Sequence, residues 1–268
     1  MLKHWTYELF VEKADVVEKI LFGGRAEASQ RTQQEVDGLV KIFEQQGVGK
    51  GAKILDLCCG IGRHAIALAQ RGYEVLGVDI SPRFLQVAER RARELNLSDR
   101  VTFRCLDVRE LHRLQGEYGG YFDAAISMFT SLGYYGEEED VNVLRSARKL
   151  VKDRGLLVVD IANRDRIVKI FRARDIVDIG EDLVVVEERK FDALSSTDNC
   201  KWTVYKKENG NLKLLAELSY KVRLYSLHEL VKVVERAGWR FVAAYGDLSL
   251  DEFVFNESRR IVLVARIT

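Results

Sequence analysis

A single proline in 268 residues is the first scarcity of this chain. It excludes proline-stiffened linkers and polyproline segments. It also leaves Pro82, directly after Ser81, where a missing N–H is harmless at the start of a helix. Cysteine is scarce as well. Cys58, Cys59, Cys105 and Cys200 form no CxxC pair, which argues against a zinc site or a disulfide framework and for thiols acting as small apolar side chains. No bound metal is expected. Charge of one sign is missing too: 42 Lys and Arg against 41 Asp and Glu give a net charge of +1. No broad electrostatic footprint for nucleic acid follows from that balance. The densest basic run, Arg90, Arg91 and Arg93, sits among Glu89 and Glu94 and reads as a solvated helix face. No stretch approaches the ~18 apolar residues of a membrane span, and Met1-Leu2-Lys3-His4-Trp5 has no apolar leader. A cytoplasmic location with no membrane partner is the expectation.

What the chain does have is a strand that runs into a glycine turn and then a helix. Ile54-Leu55-Asp56-Leu57-Cys58-Cys59-Gly60-Ile61-Gly62-Arg63-His64 precedes Ala65 to Ala69. Such a turn brings backbone close to a ligand, because Gly has no Cβ and tolerates positive φ, and it aims free helix N–H groups at the same place. Four more strand-like runs follow. Tyr73–Val78 ends at Asp79-Ile80, Val101–Leu106 at Asp107-Val108, Phe122–Ser127 at Met128-Phe129, and Leu156–Val159 at Asp160. Between them Phe84, Leu85, Ala88, Ala92 and Leu95, then Val143, Leu144, Ala147 and Leu150, recur at helical spacing. Alternation of strand and helix implies an α/β, doubly wound, Rossmann-like fold, mostly parallel, with ligands outside the carboxyl ends of the strands. Asp56, Asp79, Asp107 and Asp160 are therefore expected along one rim. Asp123 opens its strand rather than ending it and is expected to be structural.

These residues resemble the class I S-adenosylmethionine-dependent methyltransferases, strongly over residues 51–163 and more loosely over 226–268. Asp56 to Gly62 matches the family's acid-x-Gly-x-Gly-x-Gly motif, with Cys58 in place of the first glycine. The resemblance implies that the loop of Asp56, Cys58, Gly60 and Gly62 wraps the methionine part of the cofactor S-adenosyl-L-methionine. It implies that Asp79, with Ile80 beside it, binds the ribose hydroxyls. It further implies that Asp107 and Val108 hold the adenine and that Met128-Phe129 ends the fourth strand beside the cofactor. The family's Lys-Pro-Gly-Gly turn appears as Lys152-Asp153-Arg154-Gly155, a departure on the far edge. A seven-stranded sheet is implied, completed by Phe241–Ala244 and Ile261–Ile267. A dinucleotide-binding oxidoreductase is the rival, since Gly60-Ile61-Gly62-Arg63-His64-Ala65 fits G-x-G-x-x-A. Against it, Asp56 would repel a pyrophosphate and attract a sulfonium or ammonium.

Around this core, residues 1–50 read as an N-terminal helical cap with an apolar stripe of Val36, Leu39, Val40 and Phe43. Tyr7 and Arg31 are its candidates for reaching the donor. Residues 164–225 read as an antiparallel β insert over the active site. Its strands are Leu183–Glu187, Lys201–Tyr205 and Leu218–Tyr225, with a hairpin turn at Asn209-Gly210. Ser226 and Glu229 form a capping box that reopens the Rossmann-like domain, 51–163 and 226–268. Tyr134, Tyr135 and Asn163 are candidates for the acceptor site, with Trp202 and Arg223 as further pocket residues, and no general base is assigned. His64, in the first turn of its helix, reads equally as a cap or packing residue. The resulting expectation is an enzyme that methylates N or O of a small molecule, with nucleic acid an improbable partner. An RNA or protein methyltransferase and a non-catalytic S-adenosylmethionine-binding module stay open, and the sequence leaves the oligomeric state undetermined.

Overall fold

The computed structural model describes residues 4–23 and 25–268. The chain begins with α1 (Trp5–Tyr7), a π-helical turn over Glu8–Glu12, α2 (Ala14–Phe22) and α3 (Arg25–Gln45). Strands and helices then alternate: β1 (Lys53–Leu57), α4 (Arg63–Gln70), β2 (Glu74–Asp79), α5 (Pro82–Glu94) and β3 (Val101–Cys105). A 3-10 segment, Val108–Leu114, leads into α6 (Gln115–Tyr118), β4 (Phe122–Ser127), α7 (Glu137–Leu150) and β5 (Val151–Ala162). The short α8 (Arg164–Lys169) precedes β6 (Arg174–Ile179), β7 (Leu183–Asp192), β8 (Thr197–Glu208) and β9 (Asn211–Arg223). The chain closes with α9 (Leu227–Arg236), β10 (Arg240–Tyr245) and β11 (Arg260–Arg266).

Among the described residues the first sheet has seven strands in the order β10-β11-β5-β4-β1-β2-β3. β1 to β5 run parallel, and β10 and β11 add an antiparallel edge. Because β2 and β3 lie on one side of β1 and β4 and β5 on the other, a crevice opens at the carboxyl ends of β1 and β4. Alternate strand residues supply two buried layers. Leu55, Leu57 and Val78 pack with Leu144, Leu150 and Val233, while Ile54, Ala124 and Ile126 pack with Leu39, Phe43 and Leu68. The second sheet, β6-β7-β8-β9, is antiparallel. Asn209 and Gly210 both have positive φ (50° and 78°) at its tip, the geometry of a type I′ hairpin. A third buried cluster joins Leu9 and Val17 to Ile61 and Phe84 on one side and Val185, Val204 and Leu218 on the other. The N-terminal helices are thereby wedged between the antiparallel sheet and the crevice.

Two features depart from expectation. β6 has no counterpart in the sequence reading: it is an edge strand whose Ile176 and Val177 are both exposed, so it lacks the alternation of a half-buried strand. Lys152 to Gly155 is no terminal turn but a bulge inside β5, with Arg154 at φ 62° and β4 pairing resuming from Phe122–Val151 to Ala124–Leu156.

The loop after β4 is held unusually firmly. Phe129 and Thr130 both adopt left-handed backbone (φ 58° and 61°), a strained choice for residues with side chains. Asp160 holds them there, accepting from Phe129 N at 3.0 Å through Oδ2 and from Thr130 N at 2.9 Å through its carbonyl. Arg260 braces that carboxylate, with Nε 2.7 Å from Oδ1 and Nη2 2.7 Å from Oδ2. Further on, Gly133 lies at φ 99°, and a Cβ there would fall 2.2 Å from the Arg223 carbonyl. Its N–H donates to buried Asp140 at 3.1 Å, and Tyr225 donates its hydroxyl to the same carboxylate at 2.5 Å. Burial pushes the Asp140 carboxyl up to about 6, with the Tyr225 and Gly133 donors opposing. Tyr225→Phe should therefore lower unfolding free energy by about 1–3 kcal/mol. Because the lost hydroxyl served the ionised carboxylate, the fall in urea midpoint should be larger at pH 8 than at pH 5.

Candidate active site

β1 leaves the sheet through three left-handed residues: Cys58 (φ 55°), Gly60 (φ 57°) and Gly62 (φ 71°). Cys58 holds a conformation that glycine adopts freely, at a cost of about 1–2 kcal/mol. The turn is pinned by Cys59 N to Val78 O at 3.0 Å and Gly62 N to Cys59 O at 3.0 Å. Gly60 N donates to Asp79 Oδ2 at 2.8 Å, and Ser81 N donates to Oδ1 at 2.8 Å. Asp79 is thus anchored by backbone amides alone. Burial pushes its carboxyl up to about 6, against the pull of those amides. Asp56 is buried deeper; its Oδ2 has no hydrogen-bond partner, and burial raises it to about 8 with the Asp79 charge adding to the rise and Arg63 opposing it.

These groups floor a cavity. Ile80, Phe84 and Val108 form one wall, Met128, Phe129, Tyr134 and Tyr135 another, and Thr6, Phe10, Leu21 and Phe22 close it from the N-terminal segment. Thr6 Oγ1 lies 3.2 Å from the Tyr135 hydroxyl, and His4 and Tyr135 rings pack at 4.6 Å. Arg63 and His64, also in the lining, are tied to α3. Arg63 donates to Glu35 and, at 3.1 Å, to Thr32, while His64 Nε2 lies 3.0 Å from Glu35 Oε2. Burial would raise the Glu35 carboxyl, but His64 and Arg63 together hold it far below the usual range. Burial and the Arg63 charge lower His64, so the ring stays neutral. A second cavity adjoins the first and shares Phe10, Leu21, Phe129 and Tyr134 with it. Trp5, Trp202, Tyr220, Asp198 and Arg260 complete it.

Of the residues singled out from sequence, Asp56, Cys58, Gly60, Asp79, Ile80, Val108, Met128, Tyr134 and Tyr135 meet around the first cavity. Gly62, Asp107, Tyr7, Arg31, Asn163, Asp160 and Arg223 do not line it, and Trp202 lines only the second cavity. Gly62 caps α4 and faces the protein, where a Cβ would sit 2.8 Å from Phe103 and 2.9 Å from Ala88. Asp107 is occupied by Arg109, which donates to it through Nε and Nη2 (2.6 Å) and stacks 4.2 Å over Tyr135. Tyr7 stays outside the lining, to which Thr6 and Phe10 of the same segment belong. Arg31 pairs with Glu35 at 2.8 Å and lies 4.7 Å over the outer face of Phe129. Asn163 is corrected from acceptor site to helix cap: it accepts from Asp165 N and donates to Phe255 and Ser258 carbonyls, leaving no free polar edge. Asp160 likewise serves Arg260 and the strained loop, not the crevice. Asp123 accepts from Lys53 N at 2.8 Å at the opposite end of the sheet. The sequence reading missed Phe10, Phe22 and Asp198, while Phe129, expected with Met128 beside the cofactor, does line the cavity. Only Asp198 carried a signal, since it shares strand parity with Trp202.

A family model described as "Methyltransferase domain" matches residues 54–155, the segment holding Asp56, Gly60, Asp79 and Val108. YqeM of Bacillus subtilis, to which methyltransferase activity is ascribed by name, is 26% identical over 216 residues, covering 80% of this chain and 83% of its own. A glycine/sarcosine N-methyltransferase of Parasynechococcus marenigrum is 28% identical over 171 residues, 62% of this chain and 55% of that one. The crystal structure of an S-adenosylmethionine-dependent methyltransferase from Clostridium acetobutylicum shares the fold, with TM-score 0.77 at 15% identity over 96% of this chain and 98% of that one. With its glycine turn and buried acids inside the matched segment, the chain carries a methyltransferase domain in the fold of the S-adenosylmethionine-dependent methyltransferases.

Proposed function

We propose that this enzyme transfers the methyl group to a nitrogen or oxygen of a small molecule, the donor lying in the first cavity and the acceptor in the second. The observation that carries this reading is the shared wall: Tyr134 and Phe129 border a cavity of buried acids on one side and an aromatic one on the other. Bound S-adenosylmethionine supplies a methyl group on a sulfonium that is its own leaving group. The residues present fit that molecule. Asp79 offers a carboxylate to a vicinal diol, and the unpartnered Asp56 Oδ2 suits a cationic group. Gly60 permits close approach, since a Cβ there would already meet Phe22 at 3.5 Å. Ile80, Phe84 and Val108 give a planar base an apolar slot.

The remaining task for the chain is alignment and exclusion of water, which can supply about 7–11 kcal/mol. Burial pushes the Tyr134 phenol far up and that of Tyr135 up to about 12, so both stay protonated and act as positioning groups. His64 faces Glu35 rather than an acceptor. The glycine/sarcosine enzyme methylates small amines by its name, which supports a small acceptor here. The second cavity, closed over by the antiparallel sheet and α1, favours such a molecule over an RNA or protein chain. No helix among the described residues is long and apolar enough to cross a membrane.

In calorimetry S-adenosylhomocysteine should bind, and Asp79→Ala should weaken it by about tenfold or more, the loss expected when a charged hydrogen-bond acceptor is removed; unchanged affinity would overturn the assignment. The sign with pH follows from the raised Asp79 carboxyl. Its folded value, about 6, exceeds the ordinary 3.8, so the protein without ligand loses stability as pH rises from 3.8 to about 6, while ionisation favours diol binding. The rise in melting temperature given by a fixed excess of S-adenosylhomocysteine should therefore be larger at pH 8 than at pH 5, and Asp79→Asn should shrink that difference. Labelled-methyl transfer to metabolite pools and, in parallel, to bulk RNA tests the acceptor; label found only in RNA would refute the small-molecule reading.

A further inference from the structure

Among the described residues, three buried side-chain polar atoms have no hydrogen-bond partner: Asp56 Oδ2, Trp5 Nε1 and Asp198 Oδ1. Buried polar groups are nearly always satisfied, so each exception asks for an explanation. All three belong to residues lining the two cavities. Asp56 is accounted for by a cationic donor. The other two lie in the second cavity, where nothing yet answers them.

The local chemistry is specific. Along β8 the inward face carries Asp198, Cys200, Trp202 and Val204, and on the neighbouring β9 it carries Leu218, Tyr220 and Val222. The Asp198 side chain is 9% exposed. Its Oδ2 accepts from Arg189 Nε at 3.0 Å and from Nη2, while Oδ1 accepts nothing. Arg260, the other cation in the lining, is committed to Asp160. Around this acceptor stand π faces: Trp202 and Tyr220 at 4.8 Å, Trp5 and Tyr220 at 6.0 Å, Trp5 and Tyr134 at 5.1 Å between centroids. Glu187 orients Trp202 by accepting from its Nε1 at 2.8 Å. A carboxylate ligand has no hydrogen to give the free Asp198 oxygen, and an alcohol would leave the ring quadrupoles unused. A protonated amine satisfies both the free oxygen and the rings.

We propose that the second cavity selects small organic amines, the nitrogen donating to Asp198 Oδ1 against the faces of Trp5, Trp202 and Tyr220, with an oxygen of the same molecule accepting from Trp5 Nε1. The inference deepens the reading above and rests on it: the amine is an acceptor only if the neighbouring cavity holds the donor, and only once the bound ammonium has given a proton to water, which frees the nitrogen lone pair to form the N–C bond as the S–C bond breaks. Calorimetric titration of the full chain, saturated with S-adenosylhomocysteine, with cyclohexylammonium and with cyclohexanol separates the two. The ammonium ion should bind more tightly than the alcohol by about tenfold or more. Asp198→Asn should erase most of that preference, and Trp202→Leu, which keeps the Asp198–Arg189 pair, should reduce it, while both variants bind S-adenosylhomocysteine as the parent does. Equal binding of ammonium and alcohol to the parent chain overturns the proposal, as does an undiminished preference in both variants. If a variant fails to fold, the parent comparison alone decides. If S-adenosylhomocysteine itself does not bind, the donor reading falls, and the ammonium–alcohol comparison on the protein alone still judges the cavity.

Discussion

The site depends on two carboxylates carried into the protein at the ends of β1 and β2 with no cation bonded to either. Four acids were placed along this rim, and the fold treats them in two ways. Asp160 and Asp107 each pair with an arginine, Arg260 and Arg109. Asp79 receives only backbone amides, and Asp56 keeps one oxygen unanswered. Burying an acid without full compensation is unfavourable, and both carboxyls accordingly sit above their ordinary range. That standing penalty is what a cationic, diol-bearing ligand relieves.

The strained loop after β4 depends on the acid–arginine pairs as directly as the site depends on the unpaired acids. With Asp160 held by Arg260, Phe129 and Thr130 stay in left-handed backbone, and Tyr134 and Tyr135 follow in a fixed position where the two cavities meet. Asp140 and Tyr225 fix the other end of the same segment through Gly133. Rigid placement of this kind suits a reaction whose main demand is alignment.

The parallel core was legible because its physics is local and periodic: apolar runs of strand length, a glycine turn, then helical spacing. The acids at strand ends were legible for the same reason, but their partners were not. Asp107 and Arg109 are two residues apart, and nothing in that spacing says the guanidinium will fold back on its neighbour. Asn163 looked like a pocket residue because it follows β5; its fate was decided by carbonyls nearly a hundred residues away, at Phe255 and Ser258. Asp198 lay outside the expected strand Lys201–Tyr205, although its parity with Trp202 and Val204 points inward in the longer strand observed. β6 escaped because an exposed edge strand has no buried face to write a pattern.

Phe10 and Leu21 stand in the walls of both cavities, so the amino-terminal segment is one door with two rooms behind it. Moving it aside to let spent cofactor out would open the neighbouring chamber in the same stroke. Exchange on the two sides would then be coupled through one segment, which packs on Phe84 and the insert.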